Sequence, residues 1–551
     1  MSRALRNLLI ASALLLSSLS LFAAEQSKNI PAAEDPVLRS LQAEMARSKA
    51  QLKLANMAAP YFIEYRVLDV DSWDTDAALG ELRSESRTRI RFLMVQVRVG
   101  DYKQDNSGLR GEGAIEVVPL DADEQAFRFQ VWSATDKAYK QAVESLADKQ
   151  ARLKQLTIDH PVDDFAHATP VESLRPTVSL KLDREPWMNL LREASAVYRS
   201  DVRVQFLQAA LSFKTFNHYY VNSEGTVVRS GDEIDTLSLS GNTQADDGMS
   251  LERSTSFEGK SLAELPKPAE FVERARNMVA SLKQLREAPL ADEEYHGPVL
   301  LSADSSATVF ASLIGFNALG NKPDLGQNAR VRGAFASSYK SRVLPEFISV
   351  VDDPSLTEAA GKSLLGNYQV DDEGVVAQRV NLVEKGMLAN YLMGRTPVRD
   401  FPASNGHGRA SGIGWAMPAL GNLVVSSSEG VAPEALKQKL IALCKDRGLE
   451  YGYYAATLAG YRAPRLLYRV YVKDGHEELV RGGLFGDLDQ RSMRGNIVAA
   501  GSDQFVENHV QPYLFSVVAP SVLFDDLEVK RQTSNKDRLP VYPSPEEAAQ
   551  K

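Results

Sequence analysis

The sequence predicts an α+β protein: an N-terminal domain of mixed helices and strands, and a C-terminal domain dominated by antiparallel strands around one buried helix. Three observations carry that expectation. Stretches with helical spacing are interspersed with strand-like alternation in the first half. The second half is richer in turns, including the hairpin signal Glu384-Lys385-Gly386. Between the halves, a short apolar run from Pro298 to Ser302 feeds a segment whose apolar positions Val309, Phe310, Leu313 and Ile314 share one side of a helix. At 551 residues the chain exceeds one typical core, so roughly two to four domain-sized units are expected.

In chain order, residues 1–24 read as a signal peptide, with Arg3 and Arg6 as a basic start, Leu8 to Leu16 as an apolar run and Ala23-Ala24 as a small-residue cleavage zone. The expected location is therefore periplasmic or secreted. Removing Arg3 and Arg6 leaves a chain more acidic than its formal charge of −9, a poor partner for nucleic acid. The single Cys444 excludes an internal disulfide framework and any multi-cysteine zinc site. Residues 25–290 are read as the first domain. A helix is expected from Glu34 to Ala59, started by Asp35-Pro36, then strands at Tyr61 to Val70 and Thr88 to Val99. A long helix is expected from Ser133 to Leu156, capped by Ser133 or Thr135, and another from Pro186 to Tyr198. Val202 to Leu211, Phe213 to Val221 and Glu233 to Thr243 read as strands, with a hairpin turn at Ser223-Glu224-Gly225. Gln244 to Ser256 reads as a polar surface loop, and Phe271 to Ala288 as a helix before a linker from Pro289 to Tyr295.

Residues 291–531 are read as the second domain, and 532–551, with Pro540, Pro543 and Pro545, as an unstructured tail. Asp304, Ser305 or Ser306 is expected to cap the buried helix and Gly320 to end it. A strand ends at Val350-Val351-Asp352-Asp353-Pro354; Asp371-Asp372-Glu373-Gly374 is a turn; and Gln378 to Val383 forms a hairpin with Met387 to Met393. Pro433 to Gly448 is a helix with Leu436, Leu440, Leu443 and Cys444 on one side. Leu466 to Lys473 and Ser521 to Lys530 are strands.

The order VVDD, VDDEG, VEKGMLANYLMGR and SNGHGRAS, preceded by the buried helix and followed by a long strand region, resembles the C-terminal domain of the TldD/PmbA (TldD/TldE) family. The resemblance runs from about Gly297 to Val529; the N-terminal half fits only in its broad order of elements. Catalytic members of that family are zinc metallopeptidases with an HExxxH motif on this helix. Here the six corresponding positions are Ala311, Ser312, Leu313, Ile314, Gly315 and Phe316. Zinc needs imidazole, thiolate or carboxylate lone pairs, and Ala311 and Phe316 have none. The Ser312 hydroxyl is far too weak a base to replace the glutamate.

Other candidates were weighed against that loss. No two of the seven histidines stand at the spacing that puts ligands together on a helix. His407, in the glycine-rich SNGHGR loop, is read as a solvated loop histidine ahead of a metal ligand. The resemblance implies a third ligand, a cysteine, before the last strands; Val506 to Val510 contains none, although His509 lies there. Cys444 fits a core thiol. The carboxylates Asp352, Asp353, Asp371, Asp372 and Glu373 fit turn chemistry better than calcium or acid-base work. Tyr453 and Tyr454, in a cluster with Tyr451 and Tyr461, are candidates for a peptide groove, with core packing as the plainer reading.

The expected function, from the resemblance, is a non-catalytic subunit of an exported metallopeptidase complex. It would hold or position peptides beside an HExxxH-bearing TldD-like chain that carries the zinc; no cofactor is expected in this chain. The alternatives are an active metallopeptidase with non-standard ligands such as His407 and His509, or a stand-alone exported peptide-binding or scaffold protein.

Overall fold

The computed structural model describes residues 25–26, 30–108, 113–121, 123–199 and 203–533; the signal-peptide reading of 1–24 and most of the tail lie outside them. The N-terminal half is one twisted sheet with helices on one face. Its elements are α1 (Pro36–Gln51), β1 (Pro60–Ala78), β2 (Glu81–Val99), β3 (Ala114–Val118), α2 (Glu124–Leu153), β4 (Glu172–Leu174), α3 (Glu185–Ala196), β5 (Phe206–Asn222), β6 (Val227–Gln244), β7 (Ser250–Gly259) and α4 (Pro268–Glu287). The strands run in the order β3-β2-β1-β5-β6, with β7 and the short parallel β4 sharing the far edge of β6.

Alternation decides what each face meets. Ile63, Tyr65 and Val67 of β1, with Leu93, Val95 and Val97 of β2, pack under α1 and α2; Trp73, Leu211 and Phe213 pack under α3 and α4. The intervening residues Phe62, Glu64 and Arg66 of β1, Gln96 and Arg98 of β2, and Tyr220 of β5 point the other way, and they too are buried. What covers them is the C-terminal half.

That half holds α5 (Ala303–Leu313) between two sheets. Its other elements are β8 (Glu294–Leu301), β9 (Ile348–Asp352), β10 (Val380–Glu384), β11 (Met387–Leu388), β12 (Gly408–Ala410), β13 (Ala416–Pro418), β14 (Asn422–Ser427), α6 (Pro433–Asp446), β15 (Tyr451–Leu458), β16 (Pro464–Tyr471), β17 (Glu477–Val480), β18 (Gly483–Phe485), β19 (Ile497–Ala500), β20 (Phe505–His509), β21 (Phe515–Ala519) and β22 (Val522–Arg531). One sheet runs β17-β16-β15-β8-β22, with β18 and β19 both on β22; the other runs β11-β10-β9-β14-β21-β20. All neighbours are antiparallel except β8 with β15 and β14 with β21. Val309, Phe310, Leu313 and Ile314 fill the space between the sheets, and α6 covers the outer face of the first through Leu436, Leu440 and Cys444.

Several expectations need correction. The first hairpin continues past Val70 and begins before Thr88, although its sequence there is polar. Cross-strand ion pairs replace apolar contacts: Arg91 grips Asp69 at 2.5 and 2.6 Å, and Arg87 grips Asp71 at 3.0 and 2.7 Å. α2 starts well before Ser133 because Asp123 caps it through the Ala126 amide. The two strands expected within Val202 to Leu211 and Phe213 to Val221 are one strand, β5, which runs unbroken from Phe206 to Asn222; Val202 lies outside the described residues. The expected loop Gln244 to Ser256 contains a tight turn, closed by Ala245 and Met249, and then most of β7. Glu252, Ser254 and Ser256 face solvent on β7, so its composition hid a strand whose ladder partner is β6. Of the expected strand Met387 to Met393, only Met387 and Leu388 pair with β10, and Leu392 forms an isolated bridge to Leu319.

Candidate functional site

The six positions expected to correspond to HExxxH, Ala311 to Phe316, lie at the end of α5. Ser302, two residues upstream of the first expected cap, closes the N-terminus by accepting from the Ser305 amide at 3.1 Å. The helix stops at Leu313, far short of Gly320. Asn317 donates through Nδ2 to the Ser312 and Leu313 carbonyls at 3.1 Å each and so satisfies the exposed helix end. Gly320 serves close packing instead, since a Cβ there would meet Met393 Sδ at 2.2 Å. The six positions therefore straddle a helix end: Ala311 is buried, Ser312 donates its hydroxyl to the Thr308 carbonyl at 2.8 Å, and Phe316 sits in a following 3-10 turn, 40% exposed.

Phe316 meets Phe515 edge-on at 5.7 Å, and His509 stacks on Phe515 at 4.1 Å. His509 is thus brought near the motif, with its Nε2 3.5 Å from Glu507 Oε2 and without a hydrogen bond. Thr308, on the same side of α5, donates to Glu507 at 3.2 Å. Sequence reasoning named His509 as a possible ligand and Asp304 as a helix cap but missed Glu507 and Thr308; the pairing of β20 with β21 across from the helix sets the place of Glu507 and His509. Burial, then the neighbouring Glu507, raises Asp304 to about 6. The residues at these positions do not fit a zinc ion: Ala311 and Phe316 have no lone pairs, and among the described residues the donor atoms of Asp304, Glu507 and His509 do not come together in one group. Among the described residues, the one trio of grouped metal-capable side chains is Glu294, His296 and Glu528, at the opposite end of β8. There Lys530 already holds Glu528 at 2.7 Å.

His407 is not the solvated loop residue expected. It is fully buried, with Nδ1 3.0 Å from the Asn405 carbonyl and Nε2 3.1 Å from Asp352 Oδ1. Asp352 also accepts from the Gly421 and Asn422 amides, so the pair ties the SNGHGR loop to β9 and β14 and offers no free lone pair outward. His407 and His509 are not brought into contact by any hydrogen bond, ring contact or ion pair among the described residues. Tyr453 is likewise a core residue, its hydroxyl 3.1 Å from Asp292. Tyr454, on the opposite face of β15, lines a cleft of about 490 Å³ beside the start of α5, with Asp304, Phe505 and Asp503. Asp353 and Asp371 do the work expected of turn carboxylates: Asp353 accepts from Ser355, and Asp371 from the Glu373, Val375 and Gly408 amides.

The other polar concentration is the seam between the halves. The hairpin between β12 and β13 docks on the first sheet, where Arg66 donates to the Gly412 and Gly414 carbonyls and Trp415 lies over Gly113, whose added Cβ would meet the ring at 2.6 Å. Arg395 is wholly buried; it donates to the Ala166 carbonyl at 2.7 Å and to Glu224 at 2.8 Å, with its guanidinium over the Phe165 ring. Its amide donates to Glu373 at 2.6 Å, and the Tyr220 hydroxyl lies 3.1 Å from both Glu64 and the Glu373 carbonyl. Burial lifts Glu373 to about 7 against these donors. Asp105 shows the opposite balance: despite its burial, Arg98 and nearby hydrogen bonds hold it at about 2. Arg395 and Glu373 stand within the MGR and DDEG segments already singled out, yet nothing in their spacing foretold that they would meet.

Residues 296–531 match the family described as the PmbA/TldA metallopeptidase C-terminal domain. Over 104 residues the chain is 29% identical to a metalloprotease of Methanocaldococcus jannaschii, covering 19% of this chain and 22% of that protein. Over 135 residues it is 24% identical to a metalloprotease TldD homolog of Buchnera aphidicola, covering 24% of this chain and 25% of that protein. The chain thus spans about a quarter or less of the length of these curated relatives. The fold is similar to that of TldE from Thermococcus kodakarensis, with TM-score 0.56 and 13% identity over 89% of this chain and 99% of that one. It is similar also to a proposed DNA gyrase modulator of Thermotoga maritima, with TM-score 0.59 and 17% identity over 89% and 99%.

Proposed function

The chain is a member of the TldD/PmbA family, metallopeptidase-related through residues 296–531, and from that premise we propose that it is a non-catalytic subunit of an exported TldD/TldE-type complex. In this reading it positions extended peptides beside a sister chain that bears HExxxH and the zinc. One observation carries the reading: the family's fold persists around α5, while Ala311 and Phe316 stand where imidazoles would be needed. Support for the peptide-holding role comes from β20, the terminal strand of its sheet, which runs beside the substituted motif and has one edge without a strand partner among the described residues. Such an edge pairs readily with an extended peptide. Export is proposed from the basic and apolar character of residues 1–24.

The alternative, a peptidase in its own right, is favoured by one feature: the buried Nε2 of His509, which lacks a hydrogen-bond partner and faces Glu507. Purified protein lacking residues 1–24, assayed for peptide cleavage alone and with an HExxxH-bearing relative, separates the two. The subunit reading expects cleavage only in the mixture. Cleavage by the isolated chain, lost in a His509→Ala variant, would decide for the alternative.

A further inference from the structure

The seam between the halves encloses a second cleft, of about 470 Å³, whose walls come from both halves and include no residue of α5. Its size falls within the range of small-molecule sites. The chain as a whole is acidic, with a formal charge of −9, yet this cleft gathers cations. Arg98, Lys103 and Lys149 line it from the first half, and Lys322, Arg330, Arg332 and Arg399 from the second. Their partners balance only part of that charge. Arg330 pairs with Asp400 at 2.8 Å and Arg332 with Asp324, so these two are neutralised. Arg98, Lys149 and Lys322 share two carboxylates: Asp105 is 2.8 Å from Arg98 and 3.9 Å from Lys149, and Asp164 is 2.6 Å from Lys149 and 2.9 Å from Lys322. The side chains of Lys103 and Arg399 make no hydrogen bond or ion pair among the described residues. Arg399 Nε is shielded from solvent, which leaves its two terminal nitrogens as the atoms open to a ligand.

The ligand class follows from charge. The other carboxyl groups in the lining are those of Glu64 and Glu373, which accept from the Tyr220 hydroxyl and the Arg395 amide. Burial pushes both above the usual glutamate range, towards the neutral form. With both ionised the lining keeps one positive charge in excess, and with both neutral it keeps three. A cleft of one sign between low-dielectric walls concentrates counter-ions, and a guanidinium and an ammonium without partners fit carboxylate or phosphate oxygens. A single negative charge would leave most of the larger excess uncompensated. We propose that this cleft binds a small anion bearing two or more carboxylate or phosphate groups, with Lys103 of the first half and Arg399 of the second as its contacts. Such a ligand bridges the two halves. The inference does not depend on the subunit reading, because it involves neither α5 nor a sister chain.

The test is calorimetric titration of the isolated chain with citrate, pyrophosphate and acetate at fixed pH and ionic strength. Citrate or pyrophosphate is expected to bind at one site per chain with a dissociation constant below about 1 mM, and acetate to bind far more weakly. Whichever of the two binds tighter tells a carboxylate ligand from a phosphate one. Lys103→Gln and Arg399→Gln are each expected to weaken binding about tenfold, as loss of a charge-assisted hydrogen bond does. Neither side chain holds another residue among the described ones, so these replacements leave the fold intact. Arg276→Gln, on α4 at the opposite face of the first sheet, removes the same charge and is expected to leave the affinity unchanged. Failure of both citrate and pyrophosphate to bind at millimolar concentration, acetate binding as tightly as they do, or affinity lost equally in Arg276→Gln and the two cleft variants would each overturn the proposal.

Discussion

Phe316 is the residue on which the functional reading turns, and what surrounds it is legible only in three dimensions. That Ala311 and Phe316 offer zinc no ligand can be read directly from the letters, because an alanine and a phenylalanine carry no side-chain lone pairs whatever their setting. That Phe515 would touch that ring and also stack on His509 could not be read, because Phe515 and His509 sit on strands whose register depends on the whole sheet. His407 shows the same limit in reverse. Its glycine-rich neighbours suggested a solvated loop, whereas Asp352, more than fifty positions upstream, draws it inside. Titration at Glu373 gives a test at this scale. Its folded value of about 7 lies above that of an unfolded glutamate, so the unfolded chain ionises first as pH rises and stability falls between about 4.5 and 7. Glu373→Gln should remove that fall, worth at most about 3 kcal/mol. Denaturant titrations of both proteins at pH 5 and pH 7, conditions chosen at about the ends of that window, check it; an unchanged slope between them would refute the assignment.

At the scale of elements, α5 is held by its cap and by its apolar side. Ser302→Ala removes the side-chain acceptor for the Ser305 amide and a bond to the Ala456 carbonyl, and should cost about 1–2 kcal/mol. Phe310→Ala opens a cavity between two sheets and should cost about 3–5 kcal/mol. Urea unfolding midpoints with unchanged slopes would verify both. The apolar period of α5 and the Asp35-Pro36 start of α1 were readable because they are local. The polar half of the first hairpin and β7 were not: their stability resides in Arg91 with Asp69, Arg87 with Asp71, and a ladder to β6, all contacts between segments.

Across the whole molecule, the two halves are joined by charge as much as by apolar contact. Arg395 is the centre of that junction, and Arg395→Ala would leave Glu224 without its partner and two aromatic rings, Phe62 and Phe165, without the cation above them. A loss of about 3–5 kcal/mol is expected, together with unfolding of the halves at separate midpoints in calorimetry. Lys322 from the second half also reaches Asp164 of the first, at 2.9 Å, so the junction is a network and not a single contact. The order of turn motifs pointed to the family because each is local and together they are specific. This seam could not be foreseen, because it exists only once the charged face of the first sheet meets the β12 to β13 hairpin.

The central proposal is that this chain, whose residues 296–531 match a metallopeptidase C-terminal domain, does not itself hold a zinc ion. Elemental analysis of the purified protein after equilibration with excess zinc and removal of unbound ion addresses that most directly. The account predicts far less than one zinc per chain; one tightly held zinc per chain, released by His509→Ala, would contradict it.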